Sequence, residues 1–330
     1  MNDRVRWGVL STANIGRWAV NPAIQASSNG VLLAVASRTP DRARAFAERH
    51  GIARHYGSYE ALLDDPDVDA VYIPLPNSLH RDWAVRAAEA GKHVLCEKPL
   101  ALTAAECGEM SAAAEEAGVL LMEAFMYRFH PRTERVVSMV RTGLLGEIRT
   151  VRSAFTFRLK KPDNIRLDPD LGGGALMDVG CYCVNVSRTL TDAEPVEVMA
   201  TARWTDRGVD DELTGIIRFA DGATAHFDCA LTMERAEFYE VAGTDGYLRS
   251  EAAFLPGTDD VVLREMQGRG EEVEHRVVGA DQYRLMVEHF ADCVRSGRPV
   301  RYPASEAAAN MAVIEALYRS ARNGGRPERV

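Results

Sequence analysis

A chain of 330 residues, 46% of them apolar, can build two hydrophobic cores rather than one. Its 39 basic and 48 acidic side chains give a net charge of -9 spread without blocks, which argues against a nucleic-acid or anionic-membrane surface and for small-molecule chemistry. Cys96, Cys107, Cys181, Cys183, Cys229 and Cys293 lie in apolar segments without a CxxC pair, so reduced thiols of a cytoplasmic protein are expected, with no disulfide and no zinc site. The start "MNDRVRWGVLS" is too polar for a signal peptide, and no apolar run approaches the ~18 residues of a membrane span.

In chain order, residues 1–124 alternate short apolar runs with helical stretches. The runs "VRWGVL", "VLLAVASR", "DAVYIPLP", "KHVLCEKP" and "GVLLMEAF" are apolar on both faces, as strands of a buried parallel sheet are. Between them, residues 14–27, 41–50, 79–90 and 103–117 carry helical spacing, and "TAAE" at Thr103 is a capping box. This pattern predicts an α/β fold, an N-terminal doubly wound parallel sheet of the Rossmann type that binds ligands at the carboxyl ends of its strands.

From residue 125 the texture changes to longer strands in a row: "EIRTVRSAFTFRL", "EVMATARWT", "LTGIIRFADGATAHFDCAL", "FYEVAGTDGYLRS" and "DDVVLREM". "ADGA" and "GTDGY" are hairpin-turn chemistry, so residues 125–330 are expected to form an α+β domain with a large, mostly antiparallel, open-faced sheet. Helices are expected after the three glycines at 172–190, at about 282–296 and at 304–322. The last residues, "NGGRPERV", read as a loosely held tail.

Where the first strand meets the first helix, the six positions of a GxGxxG loop read Ser11, Thr12, Ala13, Asn14, Ile15 and Gly16. Only the third glycine is kept, although serine and alanine are small and a helix N-terminus supplies amides and dipole whatever the side chains. A tight strand-to-helix turn of small residues would read the same way. At the end of the second strand an NAD enzyme places an acid on the ribose hydroxyls; here stand Ser37 and Arg38, with Arg42 one turn later. A guanidinium pairs with phosphate, so the position favours the 2′-phosphate of NADP, with NAD use also possible; a solvated basic helix start is the alternative. In "CEKPLAL", Pro99 disfavours the α region for Lys98 and holds it extended at a strand end.

"YIPLPNSLH" (72–80), "GKHVLCEKPLA" (91–101), "LMEAFMYRFHP" (121–131) and "GGGALMDVGCY" (172–182), in this order, resemble the Gfo/Idh/MocA family of nicotinamide-dependent oxidoreductases over essentially the whole chain. Within it the sequence is most similar to the branch of NADP-dependent D-xylose 1-dehydrogenases and dihydrodiol dehydrogenases. The resemblance implies that Lys98 lies beside the nicotinamide and that Tyr182 is the catalytic acid or base. Asp178, four residues before Tyr182, falls on the same helical face. The resemblance also implies a cofactor role for Leu75, Pro76, Asn77, His80 and Glu97. Tyr127, Arg128 and Arg166 are candidates for the substrate pocket, alongside Asp178 and Tyr182; Arg166 and the Tyr127–Arg128 stretch could instead serve a salt bridge at the domain junction.

A tyrosine of ordinary pKa, about 10, is a poor base at neutral pH, and a nearby ammonium favours its phenolate, which is the expected role of Lys98. No HExxH or close His/Cys/Asp set occurs, so no metal is expected. The expected activity is NADP-dependent oxidation of an aldose such as D-xylose at C1. The alternatives are reduction of a keto-sugar or nucleotide-linked keto-sugar, and a dinucleotide-binding sensor or regulator without turnover. The expected partners are a small sugar and further copies of the chain, packed through the open sheet face, which the sequence suggests is broadly apolar.

Overall fold

The structure is a computed structural model that describes residues 4–268 and 270–330. In chain order it begins with β1 (Val5–Leu10), a helical stretch over 14–26 that joins a π-turn (Gly16–Val20) to α1 (Asn21–Ala26), β2 (Gly30–Ala36), α2 (Pro40–His50), β3 (Arg54–Tyr56) and α3 (Tyr59–Leu63). It continues with β4 (Ala70–Ile73), α4 (His80–Glu89), β5 (His93–Cys96), α5 (Ala104–Ala117), β6 (Leu121–Glu123), α6 (Pro131–Arg141) and β7 (Ile148–Thr156). A second π-turn (Leu176–Gly180) leads into α7 (Cys181–Thr191), followed by β8 (Pro195–Trp204), β9 (Asp210–Phe219), β10 (Thr224–Ala230), β11 (Ala236–Gly243) and β12 (Gly246–Glu251). The chain ends with β13 (Val261–Gln267), β14 (Glu271–Val277), α8 (Gln282–Ser296), α9 (Ala304–Arg322) and β15 (Glu328–Arg329).

These elements form two compact units, Met1–Met126 with Asp281–Ala308, and Tyr127–Ala280 with Ala309–Val330. The division at 124/125 expected from the sequence differs from this, because the chain returns to the first unit. There α8 sets Phe290 against Trp7 at 5.4 Å, and Glu288 and Asp292 accept hydrogen bonds from Asn29 Nδ2 at 2.8 and 2.7 Å.

In the first unit six parallel strands run in the order β3-β2-β1-β4-β5-β6, a doubly wound sheet whose strand order reverses between β1 and β4. Trp7, Val9, Leu10, Val71, Tyr72, Ile73, Val94 and Leu95 are all fully buried, as both-sided helix cover demands. Thr103 caps α5 by accepting from the Glu106 amide at 3.1 Å, and Glu106 reaches back to the Leu102 amide at 2.9 Å, a capping box displaced by one residue.

In the second unit nine strands run in the order β14-β13-β12-β11-β7-β10-β9-β8-β15, antiparallel except for β7 with β10. Among the described residues the outer face of this sheet exposes Ile216 but is not broadly apolar as expected. Outward positions instead carry ion pairs between neighbouring strands: Arg152 with Glu240, Arg218 with Glu197, Arg203 with Asp211 and Glu212, and Arg264 with Glu272 and Glu274. The period of two sends the apolar residues inward and leaves charge outside. Nor is the C-terminal tail loose. β15 pairs with β8, Ser320 Oγ donates to the Arg326 carbonyl at 2.6 Å, and Arg319 donates to that of Arg329 at 2.7 Å.

Candidate active site

In the first unit the predicted cofactor residues gather at the carboxyl ends of β1, β2, β4 and β5. Ser11 follows β1 with φ of 146°, a conformation that suits glycine, and its Oγ accepts from the Ala13 amide at 2.9 Å. At Gly16 an added Cβ would meet nothing closer than Asn21 Oδ1 at 3.4 Å. The demand for glycine-type backbone therefore falls on the first position of the loop, occupied by serine, and not on the glycine that survives. Asn14, Ile15 and Gly16 open the helix, where amides lack intrahelical acceptors.

The end of β2 is basic. Ser37 is buried and its amide donates to the Tyr56 carbonyl at 3.1 Å, so the exposed Arg38 and Arg42 present the polar surface. Arg42 Nε donates to Thr12 Oγ1 at 2.7 Å, which ties this cation to the loop after β1. Asp41, the one acid close by in sequence, pairs with Arg44 at 2.8 Å. Burial raises the Tyr59 phenol, while the charges of Arg38 and Arg42 pull it back. This donor set fits an anionic ribose phosphate.

Leu75, Pro76 and Asn77 form the loop after β4, and Asn77 opens a short 3-10 turn (Asn77–Leu79). His80, expected beside the cofactor, is fully buried, with its two ring nitrogens each 2.9 Å from a carbonyl, those of Pro99 and Leu75. It joins the loops after β4 and β5, and burial lowers its pKa. Glu97 accepts from Tyr72 OH at 2.5 Å and from the Lys98 amide at 3.3 Å; burial, then the Glu97 charge, pushes the Tyr72 phenol well up. The Lys98–Pro99 peptide is cis. Glu123, which the sequence reading did not single out, accepts from the Leu100 amide at 2.8 Å and so anchors the far side of the Lys98 loop.

A cavity of about 350 Å³, lined by Arg4, Asp69, Lys92 and His93 among others, lies at the opposite, amino ends of β1 and β5. Helix C-termini face that end and Lys92 Nζ already donates to the carbonyls of Asp65 and Val68, so it lacks the amide donors of a phosphate site.

In the second unit Tyr182 is 4% exposed on α7, its ring set among Tyr127, Phe155 and Phe254 with centroids 5.8, 5.3 and 5.1 Å away. Tyr127 was a substrate candidate. Its hydroxyl is instead bound to Asn185 Oδ1 at 2.5 Å, and the fully buried ring supports that of Tyr182. Phe155 and Phe254 were not foreseen, since they come from distant elements and carry no motif, and neither was Asn185, one turn beyond Tyr182 on α7. Asp178 lies in the π-turn that precedes α7 and accepts from Arg166 Nε at 2.5 Å. The Asp178 charge, opposed by burial and aided by Tyr182, raises the Arg166 pKa; Asp178 itself stands four residues before Tyr182, where the π-turn runs into α7. Arg128 is buried within the short 3-10 turn Met126–Phe129.

The glycines at 172–174 make this approach possible. The Gly173 and Gly174 amides donate to the carbonyls of Asp168 and Arg166, each at 2.9 Å. A Cβ on Gly173 would strike the Arg166 carbonyl at 2.5 Å, so only glycine lets the loop before the helix fold back and deliver Arg166 to Asp178.

A doubly wound sheet with a helix N-terminus and exposed arginines at the carboxyl ends of its strands, in one chain with an aromatic-caged tyrosine and a paired aspartate, is the architecture of a dinucleotide-binding oxidoreductase. Residues 5–125 match the family model described as "Oxidoreductase family, NAD-binding Rossmann fold", and residues 133–249 match the GFO/IDH/MocA C-terminal domain. The chain belongs to the Gfo/Idh/MocA family. It is 45% identical to D-xylose 1-dehydrogenase (NADP(+)) 2 of Haloferax volcanii, over 98% of this chain and 99% of that protein. Among solved structures it is similar to the aldose-aldose oxidoreductase from Caulobacter crescentus complexed with glycerol (TM-score 0.91, 33% identity, 99% and 100% of the two chains). It is also similar to a 3-ketoreductase from Actinomadura kijaniata in complex with NADP and TDP-benzene (TM-score 0.91, 34% identity, 96% and 98% of the two chains).

Proposed function

We propose that this sugar oxidoreductase oxidises an aldose such as D-xylose at C1 to the lactone, with NADP as its cofactor. The observation that carries the reading is the convergence of Arg166, Asp178 and the caged Tyr182, in a chain so similar throughout to a D-xylose 1-dehydrogenase. The amides of Asn14, Ile15 and Gly16 hold the pyrophosphate, Arg38 and Arg42 the 2′-phosphate, and Leu75, Pro76, Asn77 and Glu97 the ribose and nicotinamide side. The bound nicotinamide supplies the hydride acceptor.

The protein's own residues manage the proton and the sugar. Tyr182 takes the proton of the reacting hydroxyl. The Lys98 ammonium favours the phenolate and stabilises the charge that grows on the sugar oxygen. Asp178, fixed by Arg166, accepts hydrogen bonds from neighbouring ring hydroxyls, and the ring cage keeps the phenol from turning. The first unit thus serves the dinucleotide, while the second binds substrate and offers its open sheet for self-association. Because all six cysteines are buried free thiols, the reduced environment of the cytoplasm suits the chain.

The same groups run backwards as a keto-sugar reductase, a second reading favoured by the likeness to the 3-ketoreductase. A dinucleotide sensor without turnover is disfavoured, since it would have no use for Lys98, Asp178 and Tyr182 together. The test is Tyr182→Phe, assayed by nicotinamide absorbance with free aldoses and keto-sugars: NADP affinity is kept and kcat falls at least a hundredfold, to order of magnitude. Near-normal turnover overturns the assignment.

A further inference from the structure

The helix that carries Asp178 and Tyr182 has no cap of its own. It is entered through glycines, and no side chain at its first position bonds the orphan amides. The missing acceptor comes from another strand. Asp210, the first residue of β9 and 1% exposed, accepts from the Leu176 amide at 2.8 Å through Oδ2 and from Tyr318 OH on α9 at 2.7 Å through Oδ1. Gly174, at φ of 132°, is the space this pair occupies, because a Cβ there would collide with both Asp210 Oδ1 and the Tyr318 hydroxyl. A carboxylate at a helix N-terminus also meets the positive end of the helix dipole.

On the reading of Asp178 and Tyr182 as reacting groups, we propose that Asp210 is a positioning residue: it fixes the first turn of their helix from β9, and Tyr318 holds it in place. Without that acceptor the first turn frays, Asp178 two residues beyond Leu176 shifts, and Tyr182 loses its placement. A displacement of about 1 Å at reacting groups can cost on the order of a hundredfold in rate.

Burial raises the Asp210 carboxyl to about 6, opposed by the bonds from Tyr318 and the Leu176 amide; the Asp211 charge adds to the rise. Cys229 faces the carboxylate from β10, and Arg322 acts on Tyr318 from the same helix. Because this pKa is raised, the protonated form favours the folded state; that contribution is lost as pH rises through about 6. The charge is thus retained at neutral pH despite a cost to stability.

Three variants test this with the full-length protein, NADP and its best sugar, with Tyr182→Phe in parallel. Asp210→Asn keeps the volume and an acceptor for Leu176, so kcat stays within about threefold and the melting temperature at pH 8 is equal or higher. Asp210→Ala lowers kcat at least tenfold with NADP affinity unchanged. Wild-type kcat in a folded Asp210→Ala overturns the inference, and so does a parallel loss of NADP affinity, which marks general destabilisation. If Asp210→Ala does not fold, Tyr318→Phe decides: with the bond that holds Asp210 gone, kcat falls at least threefold while NADP affinity is unchanged, and a wild-type kcat overturns the proposal. A fully active Tyr182→Phe defeats the reading of the site itself, whereas an inactive Tyr182→Phe beside a wild-type Asp210→Ala defeats this inference alone.

Discussion

Arg166 and Asp178 face each other through a single Nε–Oδ2 bond of 2.5 Å, with 38% and 15% of their side-chain surfaces exposed. The carboxylate is the better buried partner, so it loses more when the pair is broken. Arg166→Gln is expected to raise KM for the sugar about tenfold and leave that for NADP unchanged, in steady-state assays that vary one substrate at a time. Arg166→Lys rescues poorly, since an ammonium on a flexible stem does not reproduce the directed Nε–H donor of the guanidinium. An unchanged sugar KM in both variants would remove Arg166 from the substrate side.

Cofactor choice rests on the cations at the end of β2. Arg38→Ala is expected to weaken NADP about tenfold and NAD hardly at all, the scale of one charge-assisted bond to the 2′-phosphate. Arg42→Ala also loses the tie to Thr12, so it weakens both cofactors, NADP the more. Fluorescence titration of each variant with NADPH and NADH reads the ratio, and equal losses in Arg38→Ala would refute the phosphate assignment.

Ser11 holds a backbone conformation that suits glycine at φ of 146°. Such strain costs about 1–3 kcal/mol in a residue with a Cβ. Ser11→Gly removes it at the loss of one bond to the Ala13 amide, so thermal melting is expected to be unchanged or higher. Ser11→Val adds branching and loses the acceptor, and its stability should fall by about 1–3 kcal/mol in denaturant titration. Equal melting of the two variants would show that the backbone, not the side chain, relaxes.

Both layers of the fold were legible because each strand carries the burial pattern of its own sheet: continuous in "DAVYIPLP", alternating in "LTGIIRF". Elements with few apolar residues escaped: β3 reads "RHY", and the edge strand β14, "EEVEHRV", has charge on both faces. The return of α8 to the first unit could not be read, since Trp7 and Phe290 are joined only in space. At the site, Lys98, Asp178 and Tyr182 stood out through local motifs. Asp210, Phe155 and Phe254 did not, because a buried acid or ring looks ordinary in sequence until the helix it serves lies beside it.

The pinned C-terminus bears on solubility. A wide sheet ends in two strands whose outer amides and carbonyls can recruit a stranger's strand and seed fibrils. One border is closed by β15, which lies along β8, while the other, β14, carries Glu271, Glu272 and Glu274 in the open. Removing the last few residues, or extending them with a flexible tag that competes for β8, would unlatch the β8 border. The first sign would be turbidity in concentrated samples rather than any change in catalysis.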